Sequence, residues 1–459
     1  MTTSSPRSAW SDEARAMLTL AWPLILSNLT MTLISATDVV LLGRLGAREL
    51  AASALGLNLN MAMTIFSLGL VYAASPMMAA EIGRRFNSVR DVRRTFRQSV
   101  WAIVTLVIPL WLILWQTEHI MIAFGQQADL AKGAGQFIHG YMWSMLPFLL
   151  FQAMRSFVSA LERPGWVLGV SLVGILLNAL ICWALIFGKF GLPALGLFGA
   201  GIGTTIVWTL MACGLAVVIM TDKQFRRYRV FGNFWRPDWA RYRAVWKLGL
   251  PIAFTLGFEG SVFAAAVWLM GLINAESVAA HTIALQIASM TFMVPMGIAQ
   301  AGSIRIGLGY GRKDAQAIHR AGWSAFVMGV GFMAVMALTL LIFPEQLIGI
   351  FIDRSLPENA AVIAIASSFL IVAAVFQIAD GAQVVSAGML RGLQDTTVPM
   401  IMAGVGYWGI GIGIGSLLAF KFGMQGVGIW IGLAVGLAVV SVLLLTRWMA
   451  RARLGLLPV

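Results

Sequence analysis

The amino-acid sequence predicts an all-α polytopic membrane protein. We expect twelve transmembrane helices in two six-helix bundles, related by a pseudo-two-fold axis along the membrane normal. Of the 459 residues, 59% are hydrophobic and only 11% are charged, and the mean hydropathy is +0.85. This composition is typical of helical membrane proteins and excludes a soluble domain. Apolar runs of about 20 residues, long enough to cross a bilayer, recur along the chain, and its second half repeats motifs of its first.

Hydropathy places the individual helices. Each predominantly apolar run between charged loops is interpreted as one membrane span. The twelve predicted spans cover residues 16–40, 52–80, 98–117, 134–157, 165–188, 195–220, 248–273, 278–304, 321–343, 360–388, 398–420 and 425–446.

The basic residues set the predicted orientation. Most of the 32 Lys and Arg residues fall in the loops on one side of these spans, as expected of the cytoplasmic side. This asymmetry explains the net charge of +13 better than nucleic-acid binding does. The sequence therefore predicts a multi-pass protein of the inner (plasma) membrane with both termini in the cytoplasm.

The predicted organisation is two bundles joined by a basic cytoplasmic linker and flanked by two cytoplasmic tails. The N-terminal tail lacks a signal-peptide pattern. The tails are residues 1–15 and 447–459, the bundles are residues 16–220 and 248–446, and the linker is residues 221–247.

Internal repeats support the two bundles. At an offset of 228 residues, proline and Gly-Arg motifs recur, and a Lys-Phe-Gly motif recurs at a nearby offset. Because each half contains six predicted spans, both halves enter the membrane from the same side, as parallel repeats with a substrate site between them. The matched motifs are Pro23 with Pro251, Gly83-Arg84 with Gly311-Arg312, and Lys189-Phe190-Gly191 with Lys421-Phe422-Gly423.

Three acids fall within predicted spans, and they are the best functional candidates because few charges are tolerated there. Glu259 lies twelve residues after Lys247, or ~18 Å along a helix, near the middle of the bilayer. Placing a carboxylate at that depth costs at least ~2.5 kcal/mol on insertion scales. Such an acid normally faces a wet cavity or holds a proton or a cation, although pairing with a buried base is the structural alternative.

Asp380 reaches a similar depth, because it precedes the cytoplasmic Arg391 by eleven residues. Two facing carboxylates, Glu259 and Asp380, would hold Na⁺ between them or share a proton. Two independent acids on different faces are the alternative. Asp38 lies in the outer half of the first span. It is either a solvated interfacial acid or, if Pro23 bends the helix, an acid turned into a cavity.

Uncharged polar and aromatic residues in the spans supply the remaining candidates. Most such groups serve helix–helix packing. We nevertheless predict a substrate cavity formed by Asn58, Asn178, Gln286, Phe376 and Gln377. Gln377 stands one helical turn before Asp380. Arg155, an isolated base in the fourth span, is expected to extend to the cytoplasmic face.

No motif for a cofactor is visible. The chain contains no nucleotide-binding motif, no nucleophile–base–acid arrangement and no metal-ligand spacing among its four histidines and two cysteines. We therefore expect no ATP-driven mechanism and no cofactor besides a coupling ion.

The sequence resembles the multidrug and toxic compound extrusion (MATE) transporters, in particular their NorM-like branch. The resemblance covers nearly the whole chain. It is carried by Arg155-Ser156-Phe157, Ser159-Ala160-Leu161, Arg163-Pro164, Asn178, Phe187-Gly188-Lys189-Phe190-Gly191-Leu192-Pro193, Gly199-Ala200-Gly201 and, in the second half, Arg391-Gly392, Asp395-Thr396 and Pro399.

The resemblance implies two six-helix bundles around a V-shaped cavity and the export of cationic drugs against Na⁺ or H⁺. Asp38, Glu259 and Asp380 fall where NorM-like members carry acids in their first, seventh and tenth helices. One departure concerns local helix geometry. A proline is expected after Tyr407-Trp408, and this chain has none from Gly409 to Gly415.

We predict a non-enzymatic transporter that exports amphipathic, often cationic drugs by alternating access, in exchange for Na⁺ or H⁺, and so confers antibiotic resistance. Its partners would be small molecules and the lipid bilayer, and it would be a monomer. A flippase of related fold is the first alternative, but it should need basic cavity residues for anionic headgroups. An intramembrane enzyme using Glu259 and Asp380 would turn over without a gradient. A channel is disfavoured because no repeated pore-loop signature is present.

Overall fold

A computed structural model of the chain describes residues 6–84, 88–354 and 356–458. These residues are mostly helical and include no β-strand. Eleven of their helices are long and apolar enough to cross a membrane. The predicted all-α polytopic class is confirmed.

The helices follow the predicted spans in order. The first half contains α1 (Pro6–Leu45), α2 (Ala47–Arg84), α3 (Ser88–Trp115), α4 (Thr117–Ala123), α5 (Ala128–Tyr141), α6 (Met145–Ala160), α7 (Gly165–Phe187), α8 (Gly196–Thr221) and α9 (Lys223–Arg226). The second half contains α10 (Trp239–Gly271), α11 (Ala275–Arg312), α12 (Ala315–Ile342), α13 (Pro344–Ile348), α14 (Ala360–Gly392), α15 (Thr397–Gly404), α16 (Gly413–Ser416) and α17 (Gln425–Met449).

The predicted fourth span corresponds to two helices. A 3₁₀ turn, Met142–Ser144, joins α5 to α6, so the helical backbone runs without a break from residue 128 to residue 160. At ~1.5 Å per residue this stretch exceeds the ~30 Å of a hydrocarbon core. It supplies a twelfth spanning segment in addition to those eleven, one of which is the continuous helical stretch Thr397–Lys421 that includes α15 and α16.

Several helices extend beyond the apolar runs that predicted them. Helix α1 begins at Pro6, inside the predicted tail, and α10 begins at Trp239, inside the predicted linker. Hydropathy detects only the apolar part of a helix, so it does not predict polar extensions beyond the bilayer. Residues 1–5 of the predicted tail lie outside the described residues.

Local sequence features mark the starts of two helices and the repeated prolines. Asn274 directly precedes α11 and accepts a hydrogen bond from the Ser277 backbone N–H at 2.7 Å. Asp314 directly precedes α12 and accepts a hydrogen bond from the Ala317 backbone N–H at 2.9 Å. Both are N-cap residues that satisfy a free donor of the first turn. The repeated prolines Pro23 and Pro251 lie inside α1 and α10.

The chain divides into two compact units, each described by itself. The N unit is Leu26–Ala253, and the C unit combines Met1–Ile25 with Phe254–Val459. In the N unit, α2 packs against α3, α5 and α6, and α7 packs against α8. Residues 222–238 of the predicted linker fold onto this unit, where Phe225 and Tyr228 contact the ring of Phe157 at centroid distances of 6.0 and 5.5 Å.

In the C unit, α14 is the central helix and packs against α11, α12 and α17. The start of α1 joins this unit through a bidentate pair, in which Arg305 Nε and Nη2 donate to the Glu13 carboxylate at 2.8 and 2.6 Å. Between α15 and α17 the backbone is π-helical in Val405–Ile412 and Leu417–Lys421.

The internal repeat is visible in backbone conformation. The glycines of the two Lys-Phe-Gly motifs, Gly191 and Gly423, both have positive φ, at 80° and 70°. Glycine adopts this region readily because it lacks a Cβ. Both motifs therefore place a glycine of the same left-handed conformation in the loop that follows a helix.

Candidate functional site

Asp38 forms a hydrogen-bonded cluster in the N unit. Asp38 lies on α1, Asn178 on α7 and Thr204 on α8. Asn178 Nδ2 donates to Asp38 Oδ1 at 2.9 Å, and Thr204 Oγ1 lies 3.1 Å from Asp38 Oδ2. The acid therefore joins three helices inside the unit, which supports the cavity alternative over the solvated interfacial one.

The partners of Asp38 are buried and neutral. Asn178 and Thr204 are 0% and 2% exposed, whereas Asp38 is half-buried. Cys182, one helical turn after Asn178, lies 3.4 Å from Asn178 Nδ2 and 3.9 Å from Thr204 Oγ1. Within the described residues Asp38 has no salt bridge. Its carboxylate is therefore contacted there only by uncharged donors, so no basic side chain competes with an incoming cation for it.

Glu259 and Asp380 form a second acidic cluster in the C unit. Glu259 is half-buried on α10, and Asp380 is 5% exposed on α14. Their carboxylates fall within electrostatic range of each other. Arg391, further along α14, attracts Glu259. The pairing of Glu259 with Asp380 stays a prediction from their similar depths.

Tyr407 adds a third group to this cluster, within electrostatic range of both acids. Its hydroxyl and Asp380 Oδ1 are buried atoms with no hydrogen-bond partner in the described part of the chain. Buried polar atoms normally have partners, because leaving one unsatisfied costs about 1–3 kcal/mol. Both atoms therefore have hydrogen-bonding capacity that no described residue uses.

Tyr407 lies in the π-helical segment Val405–Ile412. This is the stretch where the family pattern led us to expect a proline and the chain has glycines instead. Single turns of π-helix occur frequently at functional sites. The missing proline was the one sequence signal that could have drawn attention to Tyr407. Thr204, one of several threonines in the apolar run of α8, gave none.

The five residues predicted to form a substrate cavity separate into two groups. Asn58 and Gln286 are exposed on spanning helices, and they occupy equivalent positions at the 228-residue offset of the repeat. The other three are buried. Asn178 belongs to the Asp38 cluster, Gln377 Nε2 donates to Thr291 Oγ1 at 2.8 Å, and the ring of Phe376 packs against its aromatic neighbours.

Arg155 does not extend to the cytoplasmic face as expected. It is 5% exposed, and its Nη2 donates to Asn28 Oδ1 at 2.6 Å in the N unit. The hydrogen bond to this amide oxygen offsets part of the free-energy cost of burying the guanidinium, so the side chain stays between the packed helices.

The fold and these two sites define a class. The chain is a polytopic helical membrane protein with one membrane-embedded acidic cluster in each compact unit, which is typical of secondary transporters.

Comparison with known proteins gives the family. The MatE family model matches residues 23–184 and 251–417. A probable multidrug resistance protein NorM of Mesorhizobium japonicum is 54% identical over 451 residues, covering 98% of this chain and 97% of the relative. Another, of Brucella suis, is 49% identical over 446 residues, with 97% and 95% covered. The chain belongs to the MatE family of transporters and is not an enzyme.

Solved structures agree on the fold. The Vibrio cholerae MATE transporter VcmN in its bent form superposes with a TM-score of 0.86 at 16% identity, covering 97% of this chain and 98% of that one. A eukaryotic MATE transporter superposes with a TM-score of 0.84 at 21% identity, with 96% of both chains covered. These similarities confirm the predicted fold class.

Proposed function

We propose that this protein is a multidrug exporter driven by a cation gradient, with Asp38, Glu259 and Asp380 as the cation-binding groups. The observation that carries the proposal is the acidic cluster of the C unit, where an unpartnered carboxylate oxygen of Asp380 lies buried beside Glu259. Two carboxylates in such surroundings repel strongly unless a positive charge joins them.

The coupling ion is H⁺ or Na⁺. A proton would neutralise one acid and turn it into a hydrogen-bond donor. Na⁺ would be held by carboxylate oxygens, and the hydroxyl of Tyr407 would supply a neutral oxygen. In the N unit, the Asp38 carboxylate with the amide oxygen of Asn178 and the hydroxyl of Thr204 is a second set of oxygen donors.

The transported compounds are drugs, in line with the name 'multidrug resistance protein' of the NorM relatives. The acidic clusters favour amphipathic, often cationic ones among them. A drug cation and the coupling ion are attracted by the same acids, so binding of one weakens binding of the other. This negative coupling, typically ~1–3 kcal/mol between two ligands, would link the two fluxes. The exposed amides of Asn58 and Gln286 are proposed to contact the drug.

The proposal includes a location and an assembly state. The protein would lie in the inner membrane as a monomer with both termini in the cytoplasm, because the basic residues concentrate in the loops on that side. A flippase for anionic lipid-linked sugars remains the alternative. The acidic character of the clusters favours cationic cargo instead.

Ethidium efflux from proteoliposomes, under Na⁺ and H⁺ gradients imposed separately, tests the proposal. Efflux should require one of the two gradients, and Glu259→Gln should abolish the gradient-driven part, because the amide keeps the shape and loses the charge. Glu276→Gln is the matched control, since Glu276 is an exposed acid at the start of α11. Efflux without any gradient, or wild-type efflux by Glu259→Gln, would refute the proposal.

A further inference from the structure

A strongly basic cleft opens in the N unit, and none of its lining residues belongs to either acidic cluster. Its volume is about 260 Å³. It lies between the first turns of α3 and the segment that precedes α10. Five arginines and one acid line it, namely Arg90, Arg93, Arg94, Arg97, Arg236 and Asp238.

The arginines of α3 share one helix face. Their spacing of three, four and seven residues from Arg90 brings them to the same side of the helix. Only Arg94 is paired, with Asp238 at 2.8 Å and Asp91 at 3.5 Å. Within the described residues the other four cleft arginines make no salt bridge, so the cleft has a large excess of positive charge.

Arg97 is the buried member of the group. It is 6% exposed, and its Nε and Nη2 have no hydrogen-bond partner among the described residues. Arg93 Nε is unpartnered as well. Arg93 and Arg236 also repel the Arg97 guanidinium. Buried, unpaired donors that repel one another are unfavourable unless an anion lies among them.

The cleft is preformed, because hydrogen bonds hold its second wall, residues 233–238, against α3. Trp101 Nε1 donates to the Phe234 carbonyl at 3.1 Å, and Gln98 Nε2 donates to the Arg236 carbonyl at 3.4 Å. Beyond the cleft, Arg241 Nη2 bonds to Asp91 Oδ1 at 2.8 Å. The backbone opposite α3 is therefore fixed against that helix before any ligand arrives.

The surroundings of the cleft are those of a membrane interface. Arg97 directly precedes the third predicted span, so the cleft lies where α3 leaves the apolar region. Trp235 and Trp239, in and after the second wall, are 84% and 59% exposed. Exposed tryptophans beside clustered arginines are characteristic of the lipid headgroup level.

We propose that this cleft binds the phosphate group of an anionic phospholipid. Guanidinium groups match the geometry of phosphate oxygens with paired N–H donors, which lysines do not. The headgroup phosphate would accept from the unpartnered Nε and Nη2 of Arg97 and from Arg93. Arg90 and Arg236, which are exposed, would neutralise the remaining charge. The inference is independent of the transported substrate.

Native mass spectrometry of the detergent-purified full-length chain tests the proposal, with phosphatidylglycerol as the probe. We expect phosphatidylglycerol adducts in preference to phosphatidylcholine adducts. Arg93→Gln/Arg97→Gln should weaken phosphatidylglycerol binding by roughly fivefold per arginine, as expected for charges near a membrane surface. Arg90→Gln/Arg236→Gln changes only exposed side chains, so it should weaken binding by a similar factor without perturbing folding. It keeps the proposal testable if Arg93→Gln/Arg97→Gln fails to fold.

Arg312→Gln/Lys313→Gln is the matched control, because it removes the same charge from exposed positions at the end of α11. It should bind phosphatidylglycerol like the wild type. Equal binding by all variants, or equal binding of phosphatidylcholine, would overturn the proposal. A third arm offers inorganic phosphate alone at the same concentration. Binding of free phosphate without binding of the lipid would show a soluble anion site and would overturn the lipid assignment.

Discussion

Gly432 lies where α17 meets the glycine-rich segment that carries Tyr407. A Cβ at Gly432 would stand 2.5 Å from the carbonyl oxygen of Gly411 and closer still to the backbone of Gly415. Real Cβ contacts are essentially never shorter than 3.0 Å. Because these neighbours are backbone atoms, no side-chain rotation relieves the clash, and Gly432→Ala must separate the two helices.

The expected effect is a loss of about 1–3 kcal/mol in the free energy of unfolding, the usual penalty for overpacking. Alanine also raises helix propensity by about 1 kcal/mol over glycine, which would hide part of the loss. Gly413→Ala cancels this contribution, because Gly413 lies on the same segment and its Cβ would meet nothing within 4 Å.

Thermostability in one detergent, followed as the fraction that stays monodisperse in size-exclusion chromatography after heating, measures the difference. Gly432→Ala should melt several degrees below Gly413→Ala, at roughly 2–4 °C per kcal/mol for a unit of this size. Its cation-driven efflux should also fall, because the displaced segment holds Tyr407. Equal melting temperatures would refute the close backbone packing on which this reasoning depends.

Three further predictions concern the N unit and the topology. Arg241→Gln should lower the free energy of unfolding by about 3 kcal/mol or more, because it leaves the buried Glu81 without its ion pair. The double variant with Glu81→Gln should recover part of this loss. Wild-type thermostability of Arg241→Gln would contradict the reasoning. Asp38→Asn should lower gradient-driven efflux by roughly fivefold or more at unchanged thermostability, whereas wild-type efflux would remove Asp38 from the coupling site. Cysteines placed in residues 221–247, in a background without native cysteines, should be labelled only from the cytoplasm, and labelling from outside would reverse the topology.

The helices and the acids could be predicted from the sequence, because both signals are local. A run of about 20 apolar residues has one interpretation, and an acid inside such a run stands out. Depth along a helix follows from rise per residue, which is why Glu259 and Asp380 were expected at one level. The polar extension of α10 to Trp239 was not predicted, because hydropathy carries no information on helices beyond the bilayer.

The partners of the acids could not be predicted, because they come from helices far apart in sequence. Thr204 is 166 residues from Asp38, and threonine is common in membrane helices. Arg155 was expected to reach the membrane surface, and only the packing of α1 against it supplies the acceptor on Asn28. Such pairings depend on helix rotation, which apolar periodicity fixes poorly when all faces of a helix are apolar.

Cation binding by purified protein tests the central proposal, one shared site at Glu259 and Asp380, most directly. Isothermal calorimetry with Na⁺, and proton release on ethidium binding, would be compared in wild type, Glu259→Gln, Asp380→Asn and the double variant, with Glu276→Gln as control. Groups that act as a unit give non-additive losses. Each single variant should therefore lose nearly all of the cation binding that belongs to this site, leaving only any binding at Asp38, and the double variant should lose little more. Substantial binding in both single variants, lost only in the double variant, would contradict the shared site.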